Sequence, residues 1–327
     1  MKKIFMTGIT GLLGTNLANT LLENGYVVSA IVRNPRKYKG TRGENLHLIQ
    51  MDLSGDYDTY LLHSDTVIHL AAETATNLIG CDTYKHVNTD ATIRLYKKAK
   101  QQGVQQFIFI STAATIGHGN LDLLGKESHK MKKPFSQLCY AQSKWKAEQF
   151  LIERKSEMDI KILNPTFIIG PNDNKPSSGK IIRLALGRKI VFCPPGGKNF
   201  VPVRDVVQGI MQAFKYGVAG EHYLIAGENL TYSEFYRRLG HLTKEKQLLI
   251  PLPKLFLLAA GIIGELFRLC KVKTSISYIN MKVLCEKNYY NNQKSKSELQ
   301  LTYSSLDQAI AQAVAFFRRK NGKSFPK

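Results

Sequence analysis

The chain predicts a doubly wound α/β protein: a parallel sheet flanked by helices, with a smaller, mostly helical lobe at the C-terminal end. Three observations point there. Short apolar runs alternate with amphipathic stretches through the first half, the pattern of strand-helix-strand units. A glycine-rich turn joins the first of these runs to the first helical pattern. After Pro165 the alternation coarsens into loops rich in proline and glycine. At 327 residues the chain also exceeds the size that one hydrophobic core usually serves. The expected division is a sheet domain over 1–170, with a return to it around 201–226, and a second lobe over 171–327.

The strand candidates, in order, are 3–7, 27–32, 46–50, 66–70, 107–111 and 161–164, with 222–226 as a later strand-like run. Residues 12–24, 90–102 and 136–155 carry helical spacing of apolar positions. Right-handed crossovers between such units build a doubly wound sheet. Lys2-Lys3 before Ile4-Phe5-Met6 superficially suggests a secretion signal, but glycine and polar residues interrupt the apolar run, so the segment reads as the first strand. The apolar stretch 255–267 is 13 residues long and contains Glu265. It falls short of the ~20 residues a bilayer span needs, so no transmembrane segment is expected. It reads as a core helix, ahead of a membrane-surface or lipid-like-substrate element.

An apolar fraction of 43% with 22% charged residues excludes global disorder, collagen-like repeats and a polytopic membrane protein. The formal charge is +21, and the excess lies in the second half: 18 basic against 12 acidic residues up to position 150, then 28 against 13. Dispersed lysines read mainly as solvated surface, though such a surplus also attracts anions. Five scattered cysteines (Cys81, Cys139, Cys193, Cys270, Cys285) show no C-x-x-C spacing. Neither a disulfide framework nor a metal site is expected, and a reducing cytoplasm fits best.

Thr7-Gly8-Ile9-Thr10-Gly11-Leu12-Leu13-Gly14 sits between the first strand and the first helix. Glycines at G-x-x-G-x-x-G spacing there allow a tight turn, close approach of backbone to a pyrophosphate, and close helix packing, with the anion at the helix N-terminus. Gly8, Thr10, Gly11, Leu12, Leu13 and Gly14 are therefore expected to hold a dinucleotide on a Rossmann-type sheet. The second strand should end near the adenosine ribose, where Arg33 lies 19 residues beyond Gly14. No acid occupies Arg33-Asn34-Pro35-Arg36-Lys37, so Arg33 and Lys37 favour a 2′-phosphate, and NADP(H) is preferred over NAD(H). Asp52 and Leu53 follow the third strand, and Asp52 can accept from an adenine amino group. Leu70, Ala71 and Ala72 end the fourth strand with side chains small enough for close cofactor approach, while His69 reads as a satisfied buried residue.

Tyr140 and Lys144 fall one turn apart on a predicted helix, which suits proton transfer from a phenol beside an ammonium. The spacing alone is weak, since Tyr96/Lys100, Tyr278/Lys282 and Tyr290/Lys294 share it. What distinguishes Tyr140 is the preceding strand, which ends in Ser111-Thr112 at the carboxyl edge where open α/β sheets bind ligands. A hydroxyl there can donate to a carbonyl oxygen as negative charge develops.

Taken in order, Thr7-Gly8-x-x-Gly11-x-x-Gly14, His69-Leu70-Ala71-Ala72, Ser111-Thr112, Tyr140-x-x-x-Lys144 and Asn164-Pro165 resemble the extended short-chain dehydrogenase/reductase family. The chain looks most like its NAD(P)-dependent epimerase/dehydratase group near the dihydroflavonol reductase-like proteins, over about residues 1–230. The resemblance implies that Tyr140 is the general acid/base, that Lys144 holds the nicotinamide ribose and lowers the Tyr140 pKa, and that Thr112, with Ser111 beside it, polarises the substrate oxygen. It also implies cofactor contacts from Asn88, Pro165 and Thr166, and a homodimer through the helices flanking the site. Three positions depart from the pattern: Thr112 stands where serine is common, Ile116 where nucleotide-sugar epimerases carry an aromatic residue, and Arg204 where an Asp or His is usual.

The leading expectation is an NADP(H)-dependent reductase or dehydrogenase of a small carbonyl or alcohol substrate, apolar or anionic. The alternatives are a sugar or nucleotide-sugar epimerase/dehydratase with retained cofactor, and a non-catalytic nucleotide-sensing or nucleic-acid-binding scaffold. No nucleic-acid partner is expected under the leading reading.

Overall fold

The computed structural model describes residues 2–175 and 177–320. Its first part runs β1 (Lys3–Thr7), α1 (Leu12–Glu23), β2 (Val27–Val32), β3 (Leu46–Gln50), α2 (Asp58–Leu62), β4 (Thr66–His69), α3 (Asp82–Tyr84), α4 (Ala91–Gln101), β5 (Gln106–Ile110), α5 (Cys139–Ile152), β6 (Asp159–Pro165) and β7 (Phe167–Ile169). There follow α6 (Lys180–Ala185), β8 (Ile190–Cys193), β9 (Gly197–Pro202), α7 (Val203–Tyr216), β10 (His222–Ile225), β11 (Glu228–Thr231), α8 (Tyr232–Thr243) and β12 (Leu248–Pro251). The chain ends in α9 (Lys254–Leu269), α10 (Tyr278–Cys285), β13 (Lys287–Asn288), α11 (Gln293–Glu298) and α12 (Leu306–Lys320).

Seven strands form the main sheet in the order β10-β6-β5-β4-β1-β2-β3, and every pairing is parallel. Such a sheet is covered on both faces, so its strands read as continuous apolar runs rather than alternating ones. Successive side chains then divide between the two faces. Ile4 and Met6 of β1 join Ile68, Ile108 and Leu163 in the cluster under α1 and α7, which add Leu17, Val206 and Ile210. Phe5 points the other way, with Val67, Phe107, Phe109 and Ile162, beneath Leu95 of α4 and Leu151 of α5. A third cluster, in which Phe200 stacks on Phe235 at 4.5 Å, unites β9, α8 and α12. Strand β10, made late in the chain, pairs with β6 from His222↔Ile162 to Ile225↔Pro165.

The expected 90–102 helix is present as Ala91–Gln101, preceded by a π-helical turn over Lys85–Asp90, while two other expectations require correction. The wider turn is a local device that spacing of apolar residues does not encode, and such turns recur at functional sites. Cys81 and Cys139 form a disulfide, against the expectation of none, with their Cα atoms 5.1 Å apart. The fold brings together the start of α3 and the start of α5 across a separation of 58 residues, a meeting that local spacing cannot reveal. The pairing also removes the argument for a reducing compartment that rested on unlinked cysteines.

Second, the 255–267 stretch is not a core helix. In α9 only Leu257, Gly261 and Gly264 are buried. The two glycines form the contact face, since a Cβ at Gly261 would stand 2.8 Å from the Tyr278 Cα and one at Gly264 2.6 Å from the Ile276 carbonyl carbon. The helix therefore packs through Leu257 and its two glycines and leaves most of its large apolar side chains outside. No helix among the described residues is long and apolar enough to cross a membrane.

Candidate active site

The glycine turn is shaped by contacts that exclude side chains. Gly8 has φ of 77°, and a Cβ there would stand 2.6 Å from the Ala71 amide nitrogen, so the turn packs directly on the end of β4. Gly14 lies over the same turn, where a Cβ would stand 2.9 Å from the Gly8 carbonyl carbon and the Ile9 Cα. Gly11 is exposed, caps α1 in extended conformation, and has only the Gly8 carbonyl oxygen near its Cβ direction, at 3.5 Å. The first-turn amides of an α-helix have no acceptor within the helix and favour anions. The side chains of Leu12 and Leu13 are buried, so any contact they make with a ligand runs through the main chain. Thr10 is half-buried at the same turn. These residues fit the phosphates of a dinucleotide: the approach to α1 is glycine, and the basic end of β2 lies on the same carboxyl edge.

Arg33 leaves β2 exposed, and the following turn puts Lys37 and Arg36 in a 3-10 helix capped by Asn34. Arg42, which the sequence reading missed, closes back on this loop through a 3.1 Å bond to the Pro35 carbonyl. Asp52 accepts from the Ser54 amide at 2.7 Å, and that bond together with the Ser54 hydroxyl holds its carboxyl below the usual range, with Arg33 and Arg94 adding to the effect. Leu53 lies beside it, its carbonyl 3.3 Å from the Arg94 guanidinium. Leu70, Ala71 and Ala72 are half-buried after β4, and the Ala71 amide donates to Thr7 Oγ1 at 3.2 Å. His69 is fully buried between Thr7 Oγ1 at 2.6 Å and Thr92 Oγ1 at 2.9 Å. Burial pushes its pKa down to about 3, which suits a neutral structural residue.

At the carboxyl edge of β5, Thr112 caps a short helical turn by accepting from the Ala114 amide at 3.3 Å. Tyr140 opens α5 and is half-buried, with the Thr112 side chain close enough to bear on its ionisation. Burial pushes the phenol up to about 12; Thr112 acts against that rise, and Glu148 and Tyr84 add to it. Lys144 Nζ donates to the Ile110 carbonyl at 2.6 Å and stands 3.9 Å over the Phe109 ring. Burial pushes Lys144 down to about 7, with Glu148 opposing.

Glu148, four residues beyond Lys144, is the residue the sequence reading overlooked. It is 2% exposed, and its Oε1 accepts from Thr115 Oγ1 at 2.8 Å and from Asn164 Nδ2 at 2.7 Å. Burial pushes its carboxyl up to about 7, while the hydroxyls of Ser111 and Thr115, the Asn164 amide and Lys144 favour the ionised form. Asn164 also donates to the Thr112 carbonyl at 3.1 Å and pairs with His222 Nδ1 at 3.1 Å. The only prior sign of this cluster was the i,i+4 spacing of Lys144 and Glu148 on one helix face.

Asn88, expected at the cofactor, is fully buried and spends its amide within the protein. It bonds both the amide and the carbonyl of Glu73, at 2.7 and 3.1 Å, and the Ser143 hydroxyl at 3.0 Å. It thereby ties the segment after Ala72 to α5. Pro165 ends β6 buried, and Thr166 donates to Asn199 Oδ1 at 2.6 Å. Ile116 is packed away with Ala113, Leu224, Ala226 and Tyr290. Arg204 is exposed on the first turn of α7.

A sequence model of the NAD dependent epimerase/dehydratase family matches residues 4–226, the span that contains the glycine turn, Thr112, Tyr140 and Lys144. The chain belongs to that family. Its full length is similar to a putative dihydroflavonol 4-reductase of Synechocystis sp., 30% identical over 334 residues that cover 96% of this chain and 94% of the relative. Sterol demethylase protein B of Methylococcus capsulatus is 28% identical, with 96% and 98% covered. The crystal structure of gox2253 superposes with a TM-score of 0.83 at 25% identity, over 99% of this chain and 100% of that one. As a member of the epimerase/dehydratase family, the protein is an NAD(P)-dependent enzyme of the extended short-chain dehydrogenase/reductase type, and its parallel sheet is the family's Rossmann-like one.

Proposed function

We propose that the chain is an NADP(H)-dependent reductase or dehydrogenase acting on a small carbonyl compound or its alcohol. The observation that carries this reading is the placement of Thr112 just beyond β5 and of Tyr140 at the start of α5, on the carboxyl edge of the sheet, with buried Lys144 one turn further along α5 and bonded to the last residue of β5. The dinucleotide would be held by the glycine turn and the first amides of α1, by Asp52, Leu53, Leu70, Ala71 and Ala72 along its adenosine side, and by Lys144, Pro165 and Thr166 towards the nicotinamide. Arg33 and Lys37 would take a 2′-phosphate, the feature that favours NADP(H). When bound, the reduced cofactor supplies a hydride to the carbonyl carbon.

The chain's own groups manage the oxygen. Thr112 Oγ1 donates a hydrogen bond to it as negative charge develops. Tyr140 gives it a proton, and with its pKa at about 12 the phenol holds that proton at neutral pH. Lys144, at about 7, exchanges a proton near neutrality. Ser111 and Glu148 sit behind this pair.

A panel of ketones and aldehydes, read by NADPH consumption with NADH in parallel, tests the reading. At least one class should be reduced, faster with NADPH, and Tyr140→Phe should lower turnover about 10²–10⁴-fold. Full turnover in that variant refutes the assignment. The family match supports a second reading, an epimerase or dehydratase: sugar interconversion with cofactor retained and no net NADPH use would select it.

A further inference from the structure

Helix α9 has an amphipathic pattern turned inside out. Leu255, Phe256, Ile262, Ile263, Leu266 and Phe267 are 54–80% exposed, although their spacing is that of a core-facing stripe. The protein-facing side carries Leu257 and two glycines against α10. Along its 16 residues the stripe extends ~24 Å, a contiguous apolar surface of the kind that marks an interaction site. The preceding two-stranded ribbon of β8 and β12 adds exposed Ile190, Phe192 and Leu248.

The charges around this stripe indicate what covers it. Lys254 begins α9, and Lys271 and Lys273 follow its end, all exposed. The helix's only acid, Glu265, is partly exposed but engaged within the protein: its carboxylate accepts from the Tyr278 amide at 2.9 Å and lies 3.6 Å from Arg268. An apolar stripe with lysines at both ends, its one acid paired with Arg268, complements an anionic lipid surface, with the side chains in the acyl region and the ammonium groups at the headgroups. A second copy of this chain is a poorer match, because an isologous contact would set the same lysines against each other on two bodies of formal charge +21.

We propose that α9 docks the protein on the surface of an anionic bilayer, lying in the interface without crossing it. The docking helix is tied to the segment after Ala72. Arg268 donates to the Leu78 carbonyl at 2.7 Å, Asn280 to the Thr76 carbonyl at 3.0 Å, and Thr76 to Ser275 Oγ at 3.1 Å. Docking thus places the rim of the candidate active site beside the lipid, and the inference holds whichever reaction the site performs.

The test is flotation of the full chain with vesicles of phosphatidylcholine alone and of phosphatidylcholine with about one third phosphatidylglycerol. Partition to the anionic vesicles should be about tenfold stronger and should fall as salt is raised. The Ile263→Glu/Phe267→Glu variant should abolish it, and Lys271→Glu/Lys273→Glu should remove the salt-dependent part. The substituted side chains are exposed, and the second variant touches no packed residue, so a folding defect in the first leaves the test intact. Absence of partition to anionic vesicles overturns the proposal. So does a dimer in light scattering that Ile263→Glu/Phe267→Glu splits into monomers, which would assign the face to a second copy.

Discussion

Lys144 Nζ donates to the main-chain carbonyl of Ile110 at 2.6 Å, which fastens the amine one turn beyond Tyr140 to the last residue of β5. Its burial carries opposing energies. Lowering the pKa from 10.5 to about 7 means a penalty of about 5 kcal/mol for the charged form. The carbonyl contact returns about 1–3 kcal/mol. Lys144→Met should therefore raise stability at pH 7, by about 2 kcal/mol, while turnover drops about 10²-fold or more. The unfolded chain holds the extra proton between pH 7 and 10.5, so the gain should shrink as pH rises through that window. Denaturant unfolding at neutral and alkaline pH, beside turnover, checks both parts.

Glu148 supplies the opposite titration. Its folded pKa, raised to about 7, makes the folded protein take up a proton between pH 4.5 and 7. Stability from this group is fully present below 4.5 and is lost as pH rises to 7, on the order of 3 kcal/mol in all. Glu148→Gln keeps an acceptor for Thr115 and Asn164 and removes the ionisation, so its unfolding free energy should be flatter across that range. A slope equal to that of the parent would show that Glu148 does not titrate there.

The second and third glycines of the turn should respond differently to alanine. At Gly14 the new methyl meets main-chain atoms at 2.9 Å, and stability should fall by about 1–3 kcal/mol, together with dinucleotide affinity. At Gly11, φ of −78° suits alanine and the space is open, so stability should be unchanged or slightly higher while affinity falls. Thermal melts with and without NADPH separate the two effects.

Arg33 is exposed and makes no side-chain hydrogen bond among the described residues, so its replacement should leave the fold untouched. Arg33→Glu should raise the KM for NADPH about tenfold or more, with that for NADH unchanged or lower, since a carboxylate repels a 2′-phosphate and accepts from ribose hydroxyls. Equal effects on both dinucleotides would place the 2′-phosphate elsewhere.

The legible part of this protein was what local pattern controls. Strands 3–7 and 27–32 were readable to the residue because largely buried parallel strands are apolar runs between turns, and the edge strand 46–50 because its apolar positions lie between turns as well. The glycine turn was readable because only glycine fits where Gly14 meets Gly8. Glu148 was not, because a carboxylate on a helix normally marks the solvent side, and only the arrival of Thr115 and Asn164 from other elements reveals it as buried. The Cys81–Cys139 link was hidden for the same reason. Helix α9 misled most, since apolar spacing fixes which side chains share a face but not what that face meets.

The place of β10 beside β6 bears on how the chain is born. Everything from Thr166 to Glu221 is synthesised between these neighbours, so a chain emerging from the ribosome carries β6 as a bare sheet margin until Ile225 clears the exit tunnel. During that interval its main-chain donors and acceptors are open to strands of other nascent chains. A pause in translation between these two points would lengthen the hazard, and one after Ile225 would not.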